Sequence, residues 1–259
     1  MIIEVLIYGI LVSIVSGILS YFVVARNVEF AGVGISHAAF GGVAIAMVLG
    51  INPMWFLLVF TPLVGILIAS SPRNLSENTA IGILFPFFMS LGIILIYLSQ
   101  QNLSLVWSYL FGNIFLVGRG DFLLFLIVGA LVVLYVFLFF RELVFSSFSR
   151  ELARAYGVNT TFINYTFMAV LSLGIVVSIK MLGIVLLSAF LVLPASISFL
   201  ISKGVGRSFV LTIVFSIVMS VFGILASYWL DLPSGASIVV VGTAIYLVFY
   251  LFRKVFSGA

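Results

Sequence analysis

An all-α, polytopic membrane protein of about nine spans, within a range of eight to ten, is predicted by three features of this sequence. Of its 259 residues 64% are hydrophobic and only 7% are charged, a balance that leaves no polar shell for a water-soluble fold. Apolar runs of spanning length recur from one end to the other, where a β-barrel would show short alternating segments. The longest polar segment holds about 20 residues, too few to build a core of its own. Residues 1–259 therefore read as a single transmembrane domain.

The placement of basic residues orders the spans, because loops rich in Lys and Arg stay in the cytoplasm. Residues 2–25 run inward to Arg26; they lack the basic leader and small-residue cleavage site of a signal peptide, so this first helix is expected to be retained. Residues 28–49 return outward, Ile51-Asn52-Pro53 turns, and 54–70 lead back to the cytoplasmic "SSPRNLSENT", where proline and polar residues break the helix. Residues 79–98 cross again. The next stretch, 103–117, has an apolar core of only about 15 residues where a span needs about 20, so it is read as an interfacial or re-entrant piece on the outer side. That lets 122–140 run inward and puts Arg141, Arg150 and Arg154 in the cytoplasm. The remaining spans are 161–179, 181–201, 208–229 and 236–252, the last ending at Arg253 and Lys254.

Composition also narrows function. The net charge of +4 comes from 11 Lys and Arg scattered through loops, which orients a membrane protein and gives no nucleic-acid surface. With no cysteine there is no disulfide framework and no thiolate metal site. The chain has no phosphate-cradling Walker A loop, so it is not an ATP-hydrolysing enzyme. An ion-coupled secondary transporter would carry several carboxylates within its spans, and these spans hold essentially none.

Residues 149–160, "SRELARAYGVNT", carry the most local polar organisation. Ser149 can cap a short helix, Glu151 suits its first turn, Ala153, Arg154 and Ala155 favour helix, and Gly157 can end it. The pattern alone fits both a plain amphipathic connector and a cytoplasmic helix shaped to dock into a partner. "RELARAYGV" resembles the coupling segment of ABC (ATP-binding-cassette) importer permeases of the metal-ion type, with its E-L-A-R-A-x-G run. Five further stretches resemble the same family in the expected order: "GISHAAFGGVAIA", "SENTAIGILFPFFMSLGIIL", "YLFGNI", "IKMLGIVLLSAFLVLPASISFLIS" and "DLPSGASIVVV".

The resemblance implies a type II importer-like fold and a homodimeric channel in a prokaryotic plasma (inner) membrane. It implies two copies of a cytoplasmic ATP-binding subunit, and an extracellular or periplasmic metal-binding protein that delivers Zn²⁺ or Mn²⁺, occasionally Fe²⁺. The ion is then a transported substrate, with no permanently bound cofactor and no nucleic-acid partner. A metal-chelate importer of the siderophore or cobalamin kind is the alternative inside the class. The ATPase-coupling residues carried over are Glu151, Leu152, Ala153, Arg154 and Gly157; the translocation-pathway residues are Ser36, His37, Gly41 and Pro194.

His37 is the only histidine in the chain and the candidate metal contact. In a helix starting near Val28 it lies about 13 Å in, close to the middle of a hydrocarbon layer about 30 Å thick. Gly34, Gly41 and Ala44 fall on its face and allow another helix to approach closely. Many members of the family that this chain resembles carry Asp at the position of Val33, and a proline at that of Gly41; both are absent here. Transient contact with a passing ion and simple helix packing both remain open for His37. Glu77 reads as an acid at a helix start, Lys180 as a snorkelling side chain, and Asp121 and Asp231 as outer-loop acids. Pro194 is expected to kink its span, and the 27 phenylalanines to supply lipid-facing bulk.

Overall fold

The computed structural model of the chain describes residues 2–71, 77–99 and 103–256. All regular structure among them is helical: α1 (Ile2–Ala25), α2 (Glu29–Val48), α3 (Pro53–Ala69), α4 (Glu77–Ser99), α5 (Leu103–Phe111), α6 (Arg119–Leu138), α7 (Phe140–Phe148), α8 (Arg150–Ala155), α9 (Thr160–Leu182), α10 (Ile184–Phe190), α11 (Leu193–Ile201), α12 (Val205–Leu230) and α13 (Ser234–Phe256). Eight segments are long and apolar enough to cross a membrane, α10 and α11 together making one of them. The ninth expected crossing is α3, whose 17 residues reach the lower limit for a span. Residues 72–76 of the cytoplasmic "SSPRNLSENT" and residues 100–102 lie outside the described residues.

The short stretch after α4 does not cross. α5 has 9 residues, about 13 Å of helix, and the chain then turns through the 3-10 segment Ile114–Leu116. The Asn113 N–H donates to the Lys180 carbonyl at the end of α9, and the Ile114 N–H to Ser234 Oγ at the start of α13. Irregular backbone survives near the membrane only where protein supplies its hydrogen-bond partners, and here two neighbouring helices do so. The re-entrant reading of 103–117 agrees with this arrangement.

Helices that are apolar on all sides give no sequence signal for which face turns inward; the packing shows it. α2 is the most buried of the long helices and α4 the least, and α2 is surrounded by α3, α4, α9 and α10. Small residues bring the backbones together. Ser216 Oγ of α12 donates to the Ser13 carbonyl of α1 at 2.7 Å, and Ser220 Oγ donates to the Gly9 carbonyl at 3.3 Å. A Cβ at Gly17 would lie 2.9 Å from that of Ser216, so the α1–α12 seam tolerates nothing larger.

Three expectations are corrected. The phenylalanines are not all lipid-facing: Phe22, Phe125, Phe167 and Phe190 are fully buried. Phe22 meets Phe140, Phe167 and Phe209 across four segments of chain, because without a hydrophobic drive between helices dense ring packing supplies the attraction. The stretch before residues 149–160, expected as a loop, is itself helical: α7 is amphipathic and buries its own Leu143. The segment 181–201 is two helices, not one kinked helix. The chain unwinds at Leu191 and Val192, Pro194 enters α11 at its first turn, and the Ala195 N–H is taken up by Ser20 Oγ of α1 at 3.3 Å. A proline inside a span is tolerated when a neighbour satisfies the freed backbone.

Candidate functional site

The pathway candidates on α2 pack against α4. A Cβ placed on Gly34 would meet Ile81 Cγ2 at 2.6 Å, and one on Gly41 would meet the Phe88 carbonyl oxygen at 2.7 Å. Between them the His37 ring stands edge-on to Phe85, with centroids 4.8 Å apart. Positions 34, 37 and 41 thus answer 81, 85 and 88 in the same direction, so the two helices run parallel, and the small-residue stripe around His37 serves close approach.

The histidine's tautomer follows from its contacts. Nδ1 lies 2.8 Å from the Val33 carbonyl oxygen, which can only accept, so Nδ1 carries the proton and Nε2 keeps its lone pair. Ser36 Oγ also donates to the Val33 carbonyl at 2.9 Å and lies 3.3 Å from Nδ1. Where the resemblance leads one to expect a carboxylate, a main-chain carbonyl orients the ring. Among the described residues no group of three or more His, Asp, Glu or Cys could enclose a metal; His37 is a single nitrogen donor in an apolar seam. Ser36, His37 and Gly41 sit together on α2. Pro194 is set apart at the start of α11, which packs with α1, α12 and α13.

The residues expected to couple to an ATPase lie at the end of the bundle where α1 ends and α4 begins. Ser149 caps α8 by accepting from the Leu152 N–H at 3.2 Å, and Gly157, at φ +80°, ends it. The Gly157 N–H donates to the Arg154 carbonyl and the Val158 N–H to that of Ala153, a left-handed termination that only glycine adopts without strain. Ala153 is completely buried and seats the segment. Leu152 is 60% exposed and Tyr156 69%, so an apolar edge stands out beside exposed Glu151. Arg154 turns back: its Nε donates to Thr160 Oγ1 at 2.8 Å.

Several polar residues missed as partners belong to the same end. Glu77 is the first residue of α4, as expected, yet its Oε1 also accepts from Arg150 at 3.2 Å and from Asn164 at 3.1 Å. Arg26 donates to Ser146 at 2.8 Å and to Asn164 at 3.1 Å, and its guanidinium lies 4.8 Å from the Phe167 ring centre. Burial pushes Arg26 down from the ordinary guanidinium range to about 10, which leaves it charged at neutral pH. At the opposite end Lys180 has a partner that the sequence did not name: its Nζ meets Asp121 Oδ1 at 2.5 Å. Asp121 Oδ2 also accepts from the Gly118 N–H at the start of α6.

With this geometry in view, comparison with known proteins is decisive. The model of the ABC 3 transport family matches residues 1–253. The chain belongs to that family. It is similar to the manganese transport system membrane protein MntC of Listeria monocytogenes, 35% identical over 249 residues, which cover 95% of this chain and 89% of that protein. The manganese import system permease protein ScaB of Streptococcus gordonii is also 35% identical, over 94% of this chain and 88% of its own. Among solved structures, PsaBC from Streptococcus pneumoniae in complex with Fab matches with a TM-score of 0.84 at 32% identity, covering 95% of this chain and 89% of that one.

For an ABC 3 family chain, the quoted motif stretches acquire physical reasons. "LFGN", "MLGIV" and "LPSGA" meet at the outer end through three glycines. A Cβ on Gly112 would lie 2.4 Å from the Gly183 nitrogen, one on Gly183 would lie 2.3 Å from the Phe111 carbonyl carbon, and one on Gly235 would lie 2.5 Å from the Leu182 oxygen. Gly112 and Gly183 also hold φ of +65° and +82°. Backbone touches backbone there, which fastens the re-entrant piece to α9, α10 and α13.

Proposed function

We propose that this multi-pass membrane protein is the permease subunit of an ATP-driven importer of divalent metal ions, with Mn²⁺ as its substrate. The observation that carries this reading is the kinship, along nearly the whole chain, with two manganese permeases. Two copies of the chain form the pathway. Two cytoplasmic ATP-binding subunits grip residues 149–160 through Glu151, Leu152 and their neighbours, and an external metal-binding protein delivers the ion. Nucleotide binding shifts the bundle between two states because it stabilises one of them more than the other.

His37 Nε2 is assigned a passing contact with the ion. One neutral imidazole suits Mn²⁺ or Zn²⁺, and a single donor holds the ion weakly enough to let it go. Co-reconstitution with the ATP-binding subunit and the metal-binding protein tests the whole reading. Mn²⁺ should accumulate in vesicles against its gradient only with ATP and the ATPase present. Uphill accumulation by this chain alone would overturn it, and uptake of Zn²⁺ in place of Mn²⁺ would correct the substrate.

A further inference from the structure

The contacts around Glu77 form a closed circuit. Ser146 of α7 bonds Arg26 after α1, Arg26 bonds Asn164 of α9, Asn164 bonds Glu77 of α4, and Glu77 bonds Arg150 of α8. Ser146 and Arg150 stand on either side of the α7–α8 junction, so the main chain between them completes the ring. Every polar link crosses from one chain segment to another, and Glu77 is the member that brings α4 into the circuit.

Within the chain α4 is held chiefly on one side, by an extensive seam with α2. It is the least buried of the long helices, and its helix neighbours are α2 and, more slightly, α3. Glu77, Ile81, Phe85 and Phe88 follow one another at spacings of four, four and three, a single stripe on the helix. The last three touch Gly34, His37 and Gly41. One continuous helix, about 16 Å from position 77 to position 88 and with Pro86 inside that length, thus has an ion pair to the coupling segment at one end and the pathway histidine against its side.

We propose that Glu77 is a positioning residue for energy coupling: through Arg150 it ties the cytoplasmic coupling segment to α4, so that movement of residues 149–160 is passed to the α2–α4 pair. This rests on the importer reading above. A helix start alone would need an acid only for its dipole; the two side-chain donors converging on one carboxylate oxygen, Arg150 from the segment that the ATPase grips and Asn164 from α9, are what point to a link.

The test uses the assembled transporter in proteoliposomes, with ATP hydrolysis and ⁵⁴Mn²⁺ uptake measured in the same vesicles. Glu77→Gln should lower the number of ions moved per ATP by at least about fivefold, the low end of coupling between distant sites, while ATPase co-purification stays at the wild-type level. Arg150→Gln, altering the exposed partner, should lower the ratio of ions to ATP in the same way and is scored on that ratio alone, because position 150 lies in the segment that binds the ATPase; it keeps the test valid if the α4 variant fails to fold. The charge reversal E77R/R150E should recover at least half of the lost ratio. Unchanged stoichiometry in both single variants, or a reversal no better than E77R alone, would overturn the link; a loss of protein with normal stoichiometry would do so too. Wild-type vesicles with no ATP-driven uptake would sink the importer reading, whereas wild-type uptake with a normal ratio in the variants sinks the link alone.

Discussion

Replacing Gly183 by alanine tests whether the outer end is held by direct backbone contact. The residue has φ +82° and ψ 151°, a conformation essentially confined to glycine, so a side chain there costs about 1–3 kcal/mol. Its new Cβ would also stand 2.3 Å from the Phe111 carbonyl carbon and 2.5 Å from the Gly112 nitrogen. Backbone cannot rotate away as a flexible side chain can, so α5 must shift, at a further cost of about 1–3 kcal/mol. The sum is about 2–6 kcal/mol, and at about 2–4 °C per kcal/mol for a chain of this size the apparent melting midpoint should fall by roughly 10 °C. The assay is tryptophan fluorescence of purified protein in detergent at one fixed scan rate, since unfolding of such a protein is governed by rates. Gly82→Ala is the control: no atom lies within 4 Å of its added Cβ, and inside α4 the change should stabilise by about 0.5–1 kcal/mol. A Gly183→Ala midpoint within about 2 °C of wild type, less than 1 kcal/mol, would refute the argument.

Two further outcomes address the site. His37→Ala should reduce Mn²⁺ uptake by at least about tenfold at equal protein level, since even groups one shell removed from a metal are worth that much; normal uptake would leave the ring with helix packing alone. Leu152→Ala, at an exposed position of the coupling segment, should change stability by less than about 0.5 kcal/mol but weaken ATPase association by about tenfold or more, as loss of a central contact does. Undiminished co-purification of the ATPase would count against that role.

What could be read from the sequence was whatever depends on local pattern. Span lengths, the insufficient length of 103–117, the Ser149 cap and the Gly157 stop are each written within a few residues, and each stands in the structure as expected. The stripe of Gly34, His37 and Gly41 was equally legible, because helical spacing alone puts them on one face. Pairings between distant single charges were not. Asp121 and Lys180 are 59 positions apart and Glu77 and Arg150 are 73 apart, and nothing local to either partner names the other. The burial of Phe22 and Phe167 was also hidden, since a helix apolar on every side says nothing of which side meets protein. α7 was lost because its polar face resembles loop composition, and its inward face shows only once its own Leu143 is seen buried.

The interruption between α10 and α11 has a mechanical meaning. The two pieces stay in line as one span, but the hydrogen-bond ladder is interrupted at Leu191 and Val192, so each piece depends on its own neighbours. The inner piece is tethered to α1 through Ser20 and to α12 through Ser198, while the outer piece lies chiefly against α2, with α5, α9 and α13 beside it. The break therefore gives the two halves of this span separate anchors, one on the α1–α12 seam and one on the helix that carries His37.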